Sequence, residues 1–196
     1  MIELKDWEFV FENPKKPEKG CILIANPFMR DPNFRRSIVF LTEHNEMGSM
    51  GFILNKPVDV SLIELSTDFP ALDIELFFGG PVQLDTLYFI HRAPDKLQGG
   101  IEINEDIYLG GDLEQLRELL LTKTLAPDEY RFFIGYSGWA PMQLAHEIVE
   151  YAWIAREVDS KFIFETSPQE MWRLALKTMG SKYAVMANFP EDPQYN

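Results

Sequence analysis

Residues 135–148 read GYSGWAPMQLAHEI, and they place Ser137 between a strand-like run, RFFIGY, and a helix-like run that begins near Pro141. A serine on a strained strand-to-helix turn is the nucleophile of many hydrolases, where it stands in the motif G-x-S-x-G. Here Gly138 follows the serine directly, so the spacing is one residue short. Three interpretations follow. The glycines turn the chain and seat Trp139 in the core, the helix start holds an anionic ligand, or the serine attacks a substrate.

Nucleophilic chemistry at this corner needs a base, and the chain offers His44, His91 and His146. At about 100° per residue, the predicted helix places His146 on the face opposite Leu144 and Ile148, where we expect solvent. A hydrolase or transferase that uses the serine or a histidine is therefore the alternative hypothesis. The turn that seats the tryptophan is the default, because glycine allows backbone angles that other residues avoid.

The same residue types predict no metal site. The chain has 3 histidines and 1 cysteine, and it contains neither H-x-x-x-H nor C-x-x-C. Glu43 and His44 are neighbours on a predicted strand, so their side chains point to opposite faces. No G-x-G-x-x-G or Walker pattern occurs either, so we predict no cofactor.

Two further loops carry residues that could contact a ligand. NPFMRDPNFRRS sets Arg30 and Asp31 between prolines after a buried strand, and FFGGPV places two glycines before a proline. Loops that leave strand ends often bind ligands, although a local turn is the simpler explanation of each loop. The candidate ligand-binding residues are Arg30, Asp31, His44, Asn55, Gly79, Gly80, Gly135, Ser137, Gly138 and Trp139.

The charge balance limits the partners. Eighteen Lys and Arg against 31 Asp and Glu give a net charge of −13, which argues against direct nucleic-acid binding. Residues 15–36 depart from this balance, because they hold six cations and two acids, a net charge of +4. Solvated strand flanks explain this segment, and a pocket for a small anion or an acidic protein segment is the second interpretation.

The remaining totals indicate a protein of the reducing cytoplasm. Cys21 is the only cysteine and stands in the apolar run CILIA, so no disulfide framework is expected. No apolar run approaches the roughly 20 residues of a membrane span, and no secretory signal is visible. We expect a monomer or a small homo-oligomer.

The order of the elements predicts a mixed α+β fold. The strand-like runs of the first half are CILIA (21–25), SIVFLTEH (37–44), MGFILN (50–55), IELFF (74–78) and TLYFIHR (86–92), with a ribbon of IEI and IYL after them. Capping-box patterns at Ser61, Asp112 and Ser167 start helices. We expect one compact domain with a mixed, mostly antiparallel sheet or sheets and four or five packed helices, and neither a Rossmann nor a P-loop architecture.

In the last third of the chain, predicted strands and helices alternate. PMQLAHEIVEYAW reads as a helix, whereas KFIFE (161–165) and YAVMA read as strands. The predicted boundaries are an N-terminal extension and linker over 1–19, a single domain over 20–187 and a tail over 188–196. Within the extension, WEFVFE alternates as an edge strand or a short helix does.

Three stretches in register resemble the YqgE/AlgH family of bacterial proteins. They are ANPFMRDPNFRRSIVFLTEHNEMGSMGFILNKP, FFGGPV and GYSGWAPMQLAHEI. The resemblance runs from about residue 20 to about residue 180, and it implies a compact α/β fold in the bacterial cytoplasm. Members are described as regulators of transcription, and the resemblance implies no agreed catalytic residues.

The chain departs from the family pattern at three positions near this helix. Family members commonly have glycine where Met142 stands, an acid where Ala145 stands and asparagine where Tyr151 stands. Catalysis tolerates the loss of polar groups poorly, so these departures favour binding over enzymology. We therefore expect a regulatory domain that binds a small ligand or a protein partner and does not read DNA directly.

Overall fold

The computed structural model describes residues 16–65, 69, 72 and 74–188. The stretch WEFVFE lies outside these residues, as do most of the predicted extension and tail. In the part of the chain that is described, no helix is both long enough and apolar enough to span a bilayer.

Ten strands within the described ranges form the centre of the molecule. They are β1 (Ile22–Ala25), β2 (Ile38–Asn45), β3 (Gly48–Ile53), β4 (Pro57–Val58), β5 (Leu76–Phe78), β6 (Val82–His91), β7 (Ile101–Asn104), β8 (Ile107–Leu109), β9 (Tyr130–Trp139) and β10 (Trp153–Arg156). The order across the sheet is β10-β1-β2-β3-β9-β6-β8-β7, with antiparallel neighbours, while β5 runs parallel to β9 and also pairs with β4. The mixed, mostly antiparallel sheet predicted from the sequence is confirmed.

One strand, β9, carries two different partners on the same edge. Residues 132–134 of β9 pair in parallel with β5, and residues 137–139 pair antiparallel with β3. The opposite edge of β9 pairs with β6. β3 and β9 therefore diverge beyond the pair Gly51 and Ser137, and the end of β5 enters between them. We call this point the strand fork.

Six helices pack on the sheet in the described chain. They are α1 (Leu62–Leu65), α2 (Leu113–Leu121), α3 (Gln143–Val149), α4 (Ser160–Glu165), α5 (Pro168–Lys177) and α6 (Ser181–Met186). One of the three predicted N-caps is present through its side chain, because Asp112 accepts from the backbone N–H of residue 115 at 3.0 Å. At Ser61 only the reciprocal half of the capping box is present, since the Ser61 backbone N–H donates to the Glu64 carboxylate at 2.8 Å. Ser167 does not cap α5 through its side chain, because its hydroxyl donates to Gln169 at 2.6 Å.

Both faces of the sheet are buried. On one face, α4, α5 and α6 cover a cluster that includes Phe40 and Phe52, and α3 covers Val39 and Leu41 on the other face. A third cluster joins α1 and α2 to β5, β6 and β9. Each fully buried side chain of this size contributes about 1.5–3 kcal/mol. The nearly continuous apolar sequence of β2 is explained by this burial on two faces.

Four local predictions are wrong. β9 continues through Trp139, so the turn into α3 lies at residues 140–142 and not at the serine. The helix predicted over PMQLAHEIVEYAW ends at Val149, and its last residues begin β10. KFIFE lies in α4, and YAVMA overlaps α6, although both were predicted as strands. Short apolar runs fit either state, and here the Asp159 side chain caps α4 by accepting from a backbone N–H at 2.9 Å.

Two of the departures from the family pattern lie where α3 begins and ends. Met142 has φ 65° and Tyr151 has φ 60°, a left-handed conformation that glycine and asparagine adopt at lower cost. Both side chains are exposed, at 80% and 42%. These two departures therefore concern the backbone and not the loss of a polar site.

We expect Met142→Gly to raise the free energy of unfolding by about 0.5–1 kcal/mol, because relief of the left-handed strain exceeds the extra entropy that glycine loses on folding. Urea unfolding followed by circular dichroism measures this change. Ala145→Gly, in the exposed middle of α3, is the matched control and should lower stability by about 0.5–1 kcal/mol. A lower stability for Met142→Gly would contradict this account of the backbone.

Candidate functional site

The strand fork buries the serine that the sequence offered as a nucleophile. Ser137 is fully buried, and its hydroxyl donates to the Gly79 carbonyl at 2.9 Å. The same carbonyl accepts the backbone N–H of Ile53, and the Gly79 N–H donates to Ile134. The hydroxyl therefore ties β9 to the end of β5, and a buried hydroxyl in this role cannot reach a substrate.

The glycines of FFGGPV and GYSG explain how three backbones meet at the fork. A Cβ on Gly79 would lie 2.2 Å from the Gly135 carbonyl oxygen, and one on Gly80 would lie 2.3 Å from the Tyr136 carbonyl. Gly135 itself has φ 65°, and a Cβ there would meet the Gly80 oxygen at 2.7 Å. Close backbone approach, and not a turn into α3, accounts for these three candidates.

Trp139 is seated in the core by a carboxylate. Oε2 of Glu147 accepts the indole N–H groups of Trp139 and Trp153, both at 2.8 Å, and Oε1 accepts from the Gln143 amide at 2.9 Å. Phe34 stacks on the first indole and meets the second edge-on. The position of Trp139 in the core was predicted from the sequence. The hydrogen bonds of Glu147 to both indoles were not predicted, because the turn into α3 brings these residues together.

The three histidines occupy separate environments. Nδ1 of His44 lies 2.7 Å from the Ser49 hydroxyl across the β2–β3 ladder, and His146 is exposed beside Glu150 at 3.2 Å, as its helical position predicted. His91 is fully buried in β6. None of these contacts involves the buried serine of the fork, so nothing here supports the alternative hypothesis of a hydrolase.

His91 has an unusual environment for an ionisable group. Its ring stacks on Tyr108 at 5.5 Å, and its Nδ1 accepts the Ala93 backbone N–H at 3.3 Å. Among the described residues, Nε2 has no hydrogen-bonding partner, and a Cβ on Gly100 would lie 2.8 Å from it. Burial lowers the pKa of His91, and the Gly110 backbone raises it by less.

The basic segment of the sequence forms one wall of an open cleft of about 550 Å³. Four cations line it, with one carboxylate, Glu170; the cations are Arg35, Arg36, Lys56 and Arg173. One wall is the end of the loop that enters β2 together with the residues after β3, and the other is the first half of α5. We call this the cationic cleft. Its volume falls within the range of about 300–1,000 Å³ that is typical of ligand sites.

Arg36 is the most constrained cation of the cleft. It has φ 53°, and its guanidinium carbon lies 4.9 Å from the ring centre of Trp172. The indole N–H of Trp172 donates to the Ala25 carbonyl at 2.8 Å, which fixes the ring in the core. Asn55 donates to the Arg36 carbonyl at 2.9 Å and accepts the Ile38 N–H at 2.8 Å. The backbone and the side chain of this arginine are therefore both held.

The wall that carries Arg36 is supported from the core by a second arginine. Arg131 is buried, and it donates to the Leu54 carbonyl at 2.8 Å and lies over the Phe77 ring at 4.5 Å. Met171 of α5 approaches the same guanidinium at 4.0 Å. Burial lowers the pKa of Arg131 to about 10, with Glu75 acting in the opposite direction, so the group stays cationic at neutral pH.

The ten sequence candidates do not share one cleft. Asn55 lines the cationic cleft, whereas Gly138 and Trp139 line a groove of about 420 Å³ near the turn of the β2–β3 hairpin. Ser49 beside that turn and Asn55 beyond the end of β3 are about 20 Å apart along the strand direction. The β2–β3 hairpin therefore separates Asn55 from Gly138 and Trp139.

Arg30 and Asp31 lie on the surface of the loop before β2. The Asp31 carboxylate accepts the Asn33 N–H at 2.8 Å, and its carbonyl accepts the N–H groups of Phe34 and Arg35. Asp31 therefore fixes the turn that leads to the cleft, as the simpler interpretation predicted. Sequence reasoning missed Trp172 and Arg173, and the signals for the cleft were the candidate Asn55 and the net charge of residues 15–36.

Of the described residues, no group of three or more His, Cys, Asp and Glu side chains is arranged to hold a metal ion. The chemistry of the cationic cleft is that of an anion site, since guanidinium and ammonium groups donate hydrogen bonds and repel cations.

A model of the AlgH-like family matches residues 22–184. A UPF0301 protein of Chlorobium limicola is 40% identical over 181 residues, which cover 92% of this chain and 97% of that protein. A UPF0301 protein of Bacteroides thetaiotaomicron is 37% identical, with 92% of each chain covered. The solution structure of the AlgH protein from Pseudomonas aeruginosa has a TM-score of 0.70 at 28% identity and covers 90% of this chain and 98% of that one. A crystal structure from Corynebacterium diphtheriae, at 22% identity and a TM-score of 0.70, shows the same fold.

We expect the buried His91 to make stability pH-dependent. Below its ordinary pKa of about 6.5, the unfolded chain binds a proton that the folded chain does not yet bind, so the free energy of unfolding falls as the pH drops. His91→Phe removes this titrating group. The free energy of unfolding of this variant should therefore depend less on pH between about pH 7 and 5. Chemical unfolding at several pH values measures it.

The matched control is His146→Phe, which removes an exposed histidine and should leave the slope of stability against pH close to that of the original chain. Equal slopes for the original chain and His91→Phe would contradict the expected contribution of the buried imidazole.

Proposed function

The chain belongs to the AlgH-like family, and from that premise we propose that it is a regulatory binding protein whose ligand site is the cationic cleft. The proposal takes a small ligand, or a segment of a protein partner, as the occupant. It assigns no catalytic step to the chain, and it places the protein in the bacterial cytoplasm.

The observation that carries the proposal is the way in which the cleft is built. Its two walls come from segments far apart in the sequence, and hydrogen bonds within each wall hold its polar groups. Asn55 and Lys56 hold the loop wall, because the lysine ammonium donates to the carbonyls of Pro32 and Asn33 at 2.9 and 2.8 Å. On the α5 wall, Glu170 holds Arg173 at 2.5 Å. Preorganised polar groups of this kind lower the entropic cost of binding.

The charge of the chain favours an indirect route to any effect on transcription. A net charge of −13 repels the phosphate backbone of DNA, and the cations of the cleft are confined to one concave surface. Neither a helix-turn-helix pair nor a basic recognition helix was predicted from the sequence. We therefore propose that a ligand or a partner protein, and not an operator sequence, is what the chain recognises.

Blocking the cleft should abolish ligand binding without unfolding the protein. Asn188 is an exposed cleft residue, so Asn188→Trp places a large ring at the opening. We test inorganic phosphate, citrate, AMP, glucose and lysine as probes, with ¹H–¹⁵N spectra as the measurement. At least one probe should shift the Trp172 indole signal of the original chain, and Asn188→Trp should lose that shift.

Gln98→Trp is the matched control. Like the asparagine, Gln98 is exposed and donates to a backbone carbonyl four residues earlier, at 3.2 Å against 3.0 Å. The Gln98→Trp variant should show the same probe-induced shift of the Trp172 indole signal as the original chain. Failure of every probe, or equal shifts in the cleft variant, would remove the cleft as the ligand site.

If the protein affects transcription only indirectly, it should not itself bind a specific DNA sequence. In a gel-shift assay at physiological salt, the purified protein should give no sequence-specific complex with DNA, because its net charge opposes phosphate contacts. A basic DNA-binding protein run with the same probes controls for the assay. A specific complex that survives competitor DNA would overturn the indirect route.

A further inference from the structure

We propose that the chain has a second binding surface, a groove at the turn of the β2–β3 hairpin, and that this groove takes a basic amphipathic segment of a partner protein. It is the groove of about 420 Å³ that Gly138 and Trp139 line. We call it the methionine groove, because Met47 and Met50 line it too. The inference goes beyond the proposed function, since the methionine groove shares no lining residue with the cationic cleft and takes a partner of positive charge.

The methionine groove continues the apolar face of the sheet beyond the helices that cover it. Glu43 of β2 pairs with Met50, and Met50 pairs with Gly138 of β9, so these three residues form one row across the sheet. Side chains that are directly opposite on neighbouring strands lie on the same face. Met50 and Tyr136 pack against the cluster that α4, α5 and α6 cover, and both are only partly buried. The described elements therefore leave this end of the face open.

Gly138 keeps the methionine groove open. A Cβ at this position would lie 3.0 Å from the Tyr136 ring and 4.0 Å from Val82, which pairs with Tyr136. The backbone of Gly138 is not left-handed, so it would accept a side chain without strain. Unlike the glycines of the strand fork, Gly138 is exposed and approaches side chains rather than backbone. The missing Cβ therefore leaves the tyrosine ring accessible from the groove.

Methionine makes this surface adaptable. Met47 is 82% exposed at the hairpin turn, where its backbone N–H donates to the Asn45 side chain at 2.7 Å. A methionine side chain is flexible and polarisable, and it adapts to apolar groups of different shapes. Together with Met50, Val82 and Tyr136, it gives the groove an apolar lining that an aliphatic side chain of a partner can fill.

The charge around the methionine groove is acidic. Residues 37–55, 82–91 and 132–155, which include β2, β3, β6, α3 and nearly all of β9, contain five acids and neither lysine nor arginine. Glu43 lines the groove, and Glu46 is exposed immediately before the hairpin methionine. Acids around an apolar groove complement a segment that combines apolar side chains with lysines or arginines, and they repel an acidic segment.

A pair of synthetic peptides tests the groove and the charge of its partner. One is a short amphipathic helix of leucine and lysine, and the other carries glutamate in place of lysine. We measure their affinities by fluorescence anisotropy and follow the methionine methyl signals of the protein in ¹H–¹³C spectra. The lysine peptide should bind and shift the signals of Met47 and Met50, whereas the glutamate peptide should not bind.

Met47→Lys adds a cation and removes the exposed apolar side chain, so the affinity for the lysine peptide should fall by roughly fivefold or more. The backbone bond to Asn45 can remain, so the melting temperature should stay close to that of the original chain. The matched control is Leu121→Lys. Leu121 is 61% exposed on α2, on the same surface as Glu114 and Glu118 and outside the methionine groove, so this variant changes the net charge equally. Its affinity should stay within about twofold of the original, because solvent and salt screen a distant charge.

Three outcomes would overturn the inference. Equal affinities of Met47→Lys and the original chain, or binding of neither peptide, remove the methionine groove as the docking surface. Equal or tighter binding of the glutamate peptide removes the basic class of partner. Methyl shifts of Met47 and Met50 that grow with protein concentration in the absence of peptide assign the groove to a second copy of this chain instead. None of these outcomes affects the cationic cleft, which is tested with other probes and another variant.

Discussion

The structure depends on a close approach of three backbones at the strand fork. β9 must leave β3 and accept β5 on the same edge, and this is possible only where no side chain fills the space. Gly79, Gly80 and Gly135 provide that space, and the Ser137 hydroxyl supplies a hydrogen bond to a carbonyl at the divergence. A backbone carbonyl buried at such a point needs partners, since an unsatisfied one costs about 1–3 kcal/mol. Residues that resemble a catalytic corner are therefore explained by the topology.

The fork also determines where the cationic cleft lies. Because β5 enters beside the end of β3, the chain after β3 turns outward at Asn55 and meets the loop that enters β2. α5 then packs across this end of the sheet and places two successive side chains on two arginines. Met171 contacts the buried Arg131, and Trp172 stacks on Arg36. One arginine supports the wall from the core, and the other faces the cleft.

The cationic cleft combines a local excess of positive charge with the strained backbone of Arg36, and the two features have different causes. The chain as a whole is strongly acidic, with a net charge of −13, so a group of cations on one concave surface is a local exception. Non-glycine residues with a left-handed backbone occur elsewhere in the described chain too, at Gln83, Lys123, Met142 and Tyr151, where the side chains are exposed. At Arg36 the Asn55 side chain bonds the backbone carbonyl, and the guanidinium lies over a buried indole.

The sequence by itself determined the α+β class, the buried strands β1 to β3, the Asp112 helix cap and the family, because these follow from local periodicity, capping chemistry and motifs in register. It could not distinguish strand from helix in KFIFE and YAVMA, since a short apolar run fits either state until tertiary packing selects one. Asn55 was identified as a candidate, but the other cleft residues Arg36, Trp172 and Arg173 were not. Only the tertiary structure brought them together, because cleft walls more than a hundred residues apart in the chain are joined by sheet topology and helix packing, which leave no local signal.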